Sequence, residues 1–296
     1  MNSTSQTLKA VERVLSPPAP HWVGDGFRVH NFFPGGYSLG LRRFSPFFLM
    51  DYNAKVEFPP SDRQRGVGVH PHRGFETVTL AYHGAVAHHD SAGNSGIIYP
   101  GDVQWMTAGS GVLHKEYHEK EFSRKGGVFQ MVQLWVNLPA RYKMTAPKYQ
   151  SIRAEQMGKV AVPGGGGYVD VIAGELRGVK GPAFTFTPIN VFNFYLKAGD
   201  RFAFDLPERD NTCILVLDGE AYIQDRQVMQ DHLVIFAHTG TQVQIYATQD
   251  ATLLALSGEP IDEPIAAYGP FLMNTHEEII QAYEDLNQGK FGYLEE

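Results

Sequence analysis

From Val23 to Leu256 the chain keeps returning to one unit: a short run of β-branched and aromatic side chains, then a turn built on glycine, proline or aspartate. Such runs read as strands. In the first half they are Val23–Phe33 (turn, then strand), Pro46–Asp51, Phe75–Tyr82, Ala85–His89, Val103–Met106 and Phe129–Leu138. In the second half they are Tyr168–Ile172, Ala183–Phe186, Val191–Leu196, Arg201–Leu206, Thr212–Leu217, Glu220–Ile223, His232–Phe236, Gln242–Ala247 and Thr252–Leu256. Turn signals such as Asp90–Asn94, Pro100–Asp102, Ala198–Asp200 and Asp218–Gly219 separate them. The expected class is all-β. One helix is expected, over about 275–288: Thr275 and Glu278 offer a capping box, Ile279, Tyr283 and Leu286 share a face, and Gly289 closes it. The rhythm occurs on both sides of a polar stretch, Ala140–Gln150, that Pro139 and Pro147 bracket. Two antiparallel β-barrels follow, over residues 1–145 and 146–296, with the helical tail packed on a barrel.

A chain of 296 residues with 43% apolar content is long enough for two separate cores. Its 25 basic and 32 acidic residues leave a net charge of −7, so the cationic surplus of a nucleic-acid binder is missing. A single cysteine, Cys213 in the run Cys213–Leu217, excludes an intrachain disulfide framework and reads as a core residue. The first nine residues carry no apolar leader, and no run is long enough to span a bilayer. Cytoplasmic location is the default expectation, with neither a membrane nor nucleic acid as partner.

The chemistry concentrates in His70-Pro71-His72 and, about forty residues on, His114-Lys115-Glu116. Alternate side chains of a strand share a face, so each pair can point into a barrel. Three imidazoles and one carboxylate suit a borderline first-row divalent ion, and octahedral geometry would leave two open positions. Glu76 is the competing carboxylate. It stands four residues from His72, roughly 13 Å along an extended strand, which favours a role in orienting an imidazole or in a surface contact. His83, His88, His89 and His118 read as solvated or hydrogen-bonded, and Trp105, Phe129 and Met131 as core residues, with the lining of a flavonoid-sized pocket as the alternative. Gly164–Gly167 lacks the Lys-Ser or Lys-Thr of a phosphate loop. The second half has no His-x-His, only lone His232 and His238, so its barrel is expected to hold no metal.

The runs His70–Val78 and Pro100–Gly109, His114 with Glu116, and Gln133–Pro139 closely resemble the pirins of the cupin superfamily. The resemblance extends from about His21 to Thr275. It implies a bicupin with one metal, typically iron, in the N-terminal barrel, held by His70, His72, His114 and Glu116. It also implies that Glu76 is retained without ligating. The metal expected is Fe(2+), although Ni, Co, Mn, Cu and Zn accept the same donors. Bacterial pirins resemble quercetin 2,3-dioxygenases, which implies a flavonol substrate and dioxygen, with Glu116 as both ligand and proton acceptor. Other pirins resemble metal-dependent regulators that act through protein partners in transcription or central metabolism, which is the alternative.

Overall fold

The computed structural model describes residues 7–296. Its strands begin with β1 (Val11–Leu15), β2 (His21–Val23), β3 (Phe27–Phe33), β4 (Phe47–Phe58), β5 (Gly66–His72) and β6 (Phe75–His83). They continue with β7 (Val86–Asp90), β8 (Ser95–Ile98), β9 (Val103–Thr107), β10 (Val112–His118), β11 (Gly127–Asn137) and β12 (Lys148–Ile152). Next come β13 (Gly158–Ala161), β14 (Tyr168–Ala173), the hairpin β15 (Glu175–Leu176) and β16 (Val179–Lys180), β17 (Ile189–Leu196) and β18 (Arg201–Asp205). The last are β19 (Asn211–Asp218), β20 (Ala221–Ile223), β21 (Arg226–Val228), β22 (Leu233–Phe236), β23 (Gln242–Ala247), β24 (Ala251–Gly258), β25 (Ala266–Tyr268) and β26 (Phe271–Met273). Two α-helices, α1 (Lys120–Lys125) and α2 (His276–Asn287), accompany them. The fold is all-β, as expected: two antiparallel barrels and a short C-terminal helix.

The duplication is strand for strand. One barrel has a seven-stranded sheet in the order β12-β9-β6-β11-β4-β3-β2 and a four-stranded sheet β5-β10-β7-β8. The other has β1-β22-β19-β24-β17-β14-β13 and β18-β23-β20-β21. Reading the orders in parallel, β2 answers to β13, β5 to β18, β10 to β23 and β11 to β24. The edge filled by β12 beside β9 is filled in the second barrel by β1 beside β22.

That exchange changes the domain division. One compact unit consists of residues 18–42, 46–155 and 261–296, and the other of 7–17, 43–45 and 156–260. A single cut at 145 therefore differs from the division observed. β12 lies beyond residue 145 yet pairs with β9, and α2 packs Ile279 and Ala282 against Phe271, Met273 and Phe291 in the first unit. The helix itself forms as expected. Thr275 accepts from the Glu278 backbone, and the Glu278 side chain accepts from the Thr275 backbone.

Two local expectations fail. Ala183–Phe186 is not a strand; Phe184 is exposed there and packs edge-on against Phe186. Helix α1 was not anticipated, and its N-cap is Glu119, whose carboxylate accepts from the Phe122 N–H. Cys213 is a core residue whose thiol burial pushes up to about 12. No helix among the described residues is long and apolar enough to cross a membrane.

Candidate metal centre

β5 and β10 run antiparallel, with His72 opposite Val112 and His70 opposite His114. The register then slips, so that Glu116 stands opposite Val67 and β5 carries an extra residue around Gly68-Val69. The bulge turns a carbonyl towards its own histidine: His70 Nδ1 lies 2.8 Å from Gly68 O. His72 Nδ1 lies 3.3 Å from Pro270 O, on the loop between β25 and β26. A carbonyl only accepts, so in both rings Nδ1 carries the hydrogen and Nε2 is left to ligate.

The three rings converge. Centroids are 4.2 Å apart for His70 and His114, 4.8 Å for His72 and His114, and 4.9 Å for His70 and His72. The ligating atoms of all three lie within 4.8 Å of one another. Phe75 and Trp135, stacked with centroids 4.2 Å apart, brace the His72 ring. His114 is fully buried and neither of its ring nitrogens has a hydrogen-bond partner, a costly state that a metal bond would relieve. Burial, and after it the charge of neighbouring imidazoles, holds His72 and His114 well below the ordinary histidine range. They are neutral at pH 7, the form that ligates. The donors thus fit a first-row divalent ion.

Glu116 reaches the centre through His114. Its carboxylate, His114 and His88 form a second group whose ligating atoms lie within 4.8 Å of one another. Three side chains hold it: Gln104 Nε2 donates to Oε1 at 2.9 Å, Thr79 Oγ1 to Oε1 at 3.3 Å, and Gln133 Nε2 to Oε2 at 2.8 Å.

Glu76 takes neither role foreseen for it. Thr79 faces the metal cavity, and Glu76, three residues earlier on the same strand, faces the opposite side of the sheet. It is buried, it accepts from Thr107 Oγ1 at 2.7 Å, and burial raises its carboxyl to about 7. Of the two alternatives for His88 and His118, solvated or hydrogen-bonded, both take the second. His118 is a core residue bonded through Nε2 to Gly26 O at 2.8 Å and ringed by Phe27, Phe58, Phe122 and Phe129. His88 is buried and sits directly across from Glu116 in the pairing of β7 with β10. That cross-strand register is what identifies His88, and it is not written in the local sequence. Trp105, Phe129 and Met131 are buried core residues, as expected.

In the second barrel the corresponding pairs on β18 and β23 are Phe204 opposite Val243 and Phe202 opposite Ile245. All four belong to its hydrocarbon core. Among the described residues no group of metal-ligating side chains lies in that barrel.

One donor-lined barrel joined to one filled with hydrocarbon defines a bicupin with a single candidate metal centre. The chain matches the Pirin family model over residues 26–136 and the pirin C-terminal cupin domain over 191–292. It belongs to the pirin family. A Pseudomonas aeruginosa protein provisionally named a quercetin 2,3-dioxygenase is 48% identical over 284 residues, covering 96% of this chain and 99% of that protein. The crystal structure of a quercetin 2,3-dioxygenase from Acinetobacter baumannii superposes with a TM-score of 0.92 at 46% identity, over 98% of this chain and 100% of that one. A bacterial pirin from Escherichia coli, solved in complex with nickel(II), shares the fold with a TM-score of 0.64 at 19% identity, over 84% of this chain and 100% of that one.

Proposed function

We propose that the chain is a metal-dependent dioxygenase of flavonols of the quercetin 2,3-dioxygenase type, with His70, His72, His114 and Glu116 holding one divalent ion, Fe(2+) in the working form. The observation that carries this reading is the buried, unpartnered His114 imidazole at the meeting point of two tautomer-fixed imidazoles and a hydrogen-bonded carboxylate. The similarity to quercetin 2,3-dioxygenases over nearly the whole chain supports the substrate class.

When bound, the ion supplies Lewis acidity and electron transfer. The residues supply the rest. Glu116, shifting from ligand to base, accepts the proton of the flavonol 3-hydroxyl, while the donors Gln104, Thr79 and Gln133 fix the direction of its carboxylate. The half-buried Trp135 ring beside His72, backed by the buried Phe75, offers an apolar surface to a flat aromatic substrate. One dioxygen is consumed and one carbon monoxide is released for each ring opened.

Oxygen uptake by iron-loaded protein given quercetin tests the proposal. Uptake with matching carbon monoxide is the expected result. Metal binding without uptake would leave the regulatory reading, in which the ion governs a protein partner. Glu116→Gln is expected to lower turnover by about 10²–10⁴-fold and metal loading by much less. Equal loss of both would leave Glu116 a ligand only.

A further inference from the structure

Behind Glu116 lies a buried polar chain of which only the first member, Gln104, has been used so far. Gln104 Nε2 donates to Glu116 Oε1 at 2.9 Å and also lies 3.3 Å from His88 Nδ1. An amide nitrogen only donates, so Nδ1 of His88 accepts and Nε2 carries its hydrogen. That hydrogen has a partner, Asp90 Oδ2 at 3.2 Å. Tyr149 donates its hydroxyl to Gln104 Oε1 at 3.3 Å and stacks on the His88 ring at 5.0 Å. Gln104 and His88 are fully buried and Asp90 nearly so. Reversing the Gln104 amide would set its oxygen against a carboxylate oxygen and against an imidazole lone pair, so both ends of the amide are fixed.

The polarity therefore runs one way. We propose that Asp90, acting through the His88 tautomer and the Gln104 amide, is a positioning residue that sets the direction in which Glu116 presents its carboxylate to the metal. The inference rests on Glu116 being a ligand. It also explains why His88, despite its place beside His114 and Glu116, is not one: both of its ring nitrogens are engaged, whereas both of those of His114 are free.

Asp90→Asn is the direct test, because it can keep the oxygen that accepts from Ala92 N and Asn94 N while giving His88 Nε2 a donor instead of an acceptor. The hydrogen on His88 then moves to Nδ1 and opposes the Gln104 amide. Affinity for Co(2+), measured by competition with a fluorescent chelator and by the cobalt absorption spectrum, is expected to fall by about 10- to 100-fold. Gln104→Leu should cost about as much, and Asp90→Asn added to Gln104→Leu should cost nothing further. Tyr149→Phe keeps the stack and removes only the hydroxyl. It should weaken cobalt by about three- to tenfold, and by nothing in the Gln104→Leu background, so the idea stays testable even if Asp90→Asn fails to fold.

Unchanged affinity in folded Asp90→Asn, or losses that add when either Asp90→Asn or Tyr149→Phe is combined with Gln104→Leu, overturns the relay. Glu116→Gln separates the two levels. If it leaves cobalt affinity and spectrum unchanged, Glu116 is not a ligand and the relay falls with that reading; if it weakens cobalt while Asp90→Asn does not, only the relay falls.

Discussion

Glu76 and Glu116 are the same side chain on two strands of one barrel, and they differ in the donors around them. Glu116 has Gln104, Thr79 and Gln133 as donors; Glu76 has Thr107. Buried on the far face of β6 with a carboxyl raised to about 7, Glu76 binds a proton more tightly in the folded chain than in the unfolded one. Its contribution to stability is therefore fully present below pH 4.5 and is lost as pH rises through 7. A shift of that size corresponds to about 3 kcal/mol. Glu76→Gln should flatten this part of the profile, so its melting temperature should gain on the parent at pH 8.5 and not at pH 4.5. Parallel melting curves at the two pH values would refute it. The four proposed ligands are legible in the sequence because a spacing of two puts each pair on one face. Counted along one strand Glu76 is in phase with His72, but the turn at Arg73-Gly74 between β5 and β6 breaks that alternation and puts it on the opposite face. His88 was missed because its relation to Glu116 lies across strands.

Comparing β5 and β10 with β18 and β23 shows how one architecture hosts either a site or a core. The strand partners correspond, but β5 carries a bulge that β18 lacks, and the side chains differ: His70, His72 and His114 in one barrel, Phe202, Phe204, Val243 and Ile245 in the other. The loss of His-x-His in the second half was plain from the sequence; that phenylalanines take the vacated volume needed the register. Elements are also pinned together by single buried groups. Lys143, 1% exposed, donates from Nζ to Gly74 O, Asn137 Oδ1 and Leu272 O at 2.7–2.9 Å. It thus joins the turn after His72, the end of β11 and the C-terminal hairpin. Lys143→Met would strand three buried acceptors, and a loss of about 3 kcal/mol is expected in urea unfolding. An unchanged midpoint would show that water replaces the ammonium.

At the scale of the whole molecule, the doubled strand rhythm was readable and the exchange of ends was not. β1 is short, and its five residues alternate too weakly to announce a strand until β22 offers its edge. Likewise nothing local says that residues 261–296 belong with the first half. A chain ending at residue 260 should lose Pro270 O behind His72 and Leu272 O behind Lys143, and should bind cobalt at least tenfold more weakly, an effect of the size expected when support behind a ligand is removed. Limited proteolysis should still find the hydrocarbon-filled barrel protected. Retention of tight cobalt binding would mean that β25, β26 and α2 are ornamental. Because the carbonyl behind His72 is made so late, a growing polypeptide on the ribosome would have all four proposed donors well before it has the acceptor that fixes the His72 ring. Full affinity for metal would then come only with the final stretch of synthesis, and prematurely terminated products would hold the ion more loosely.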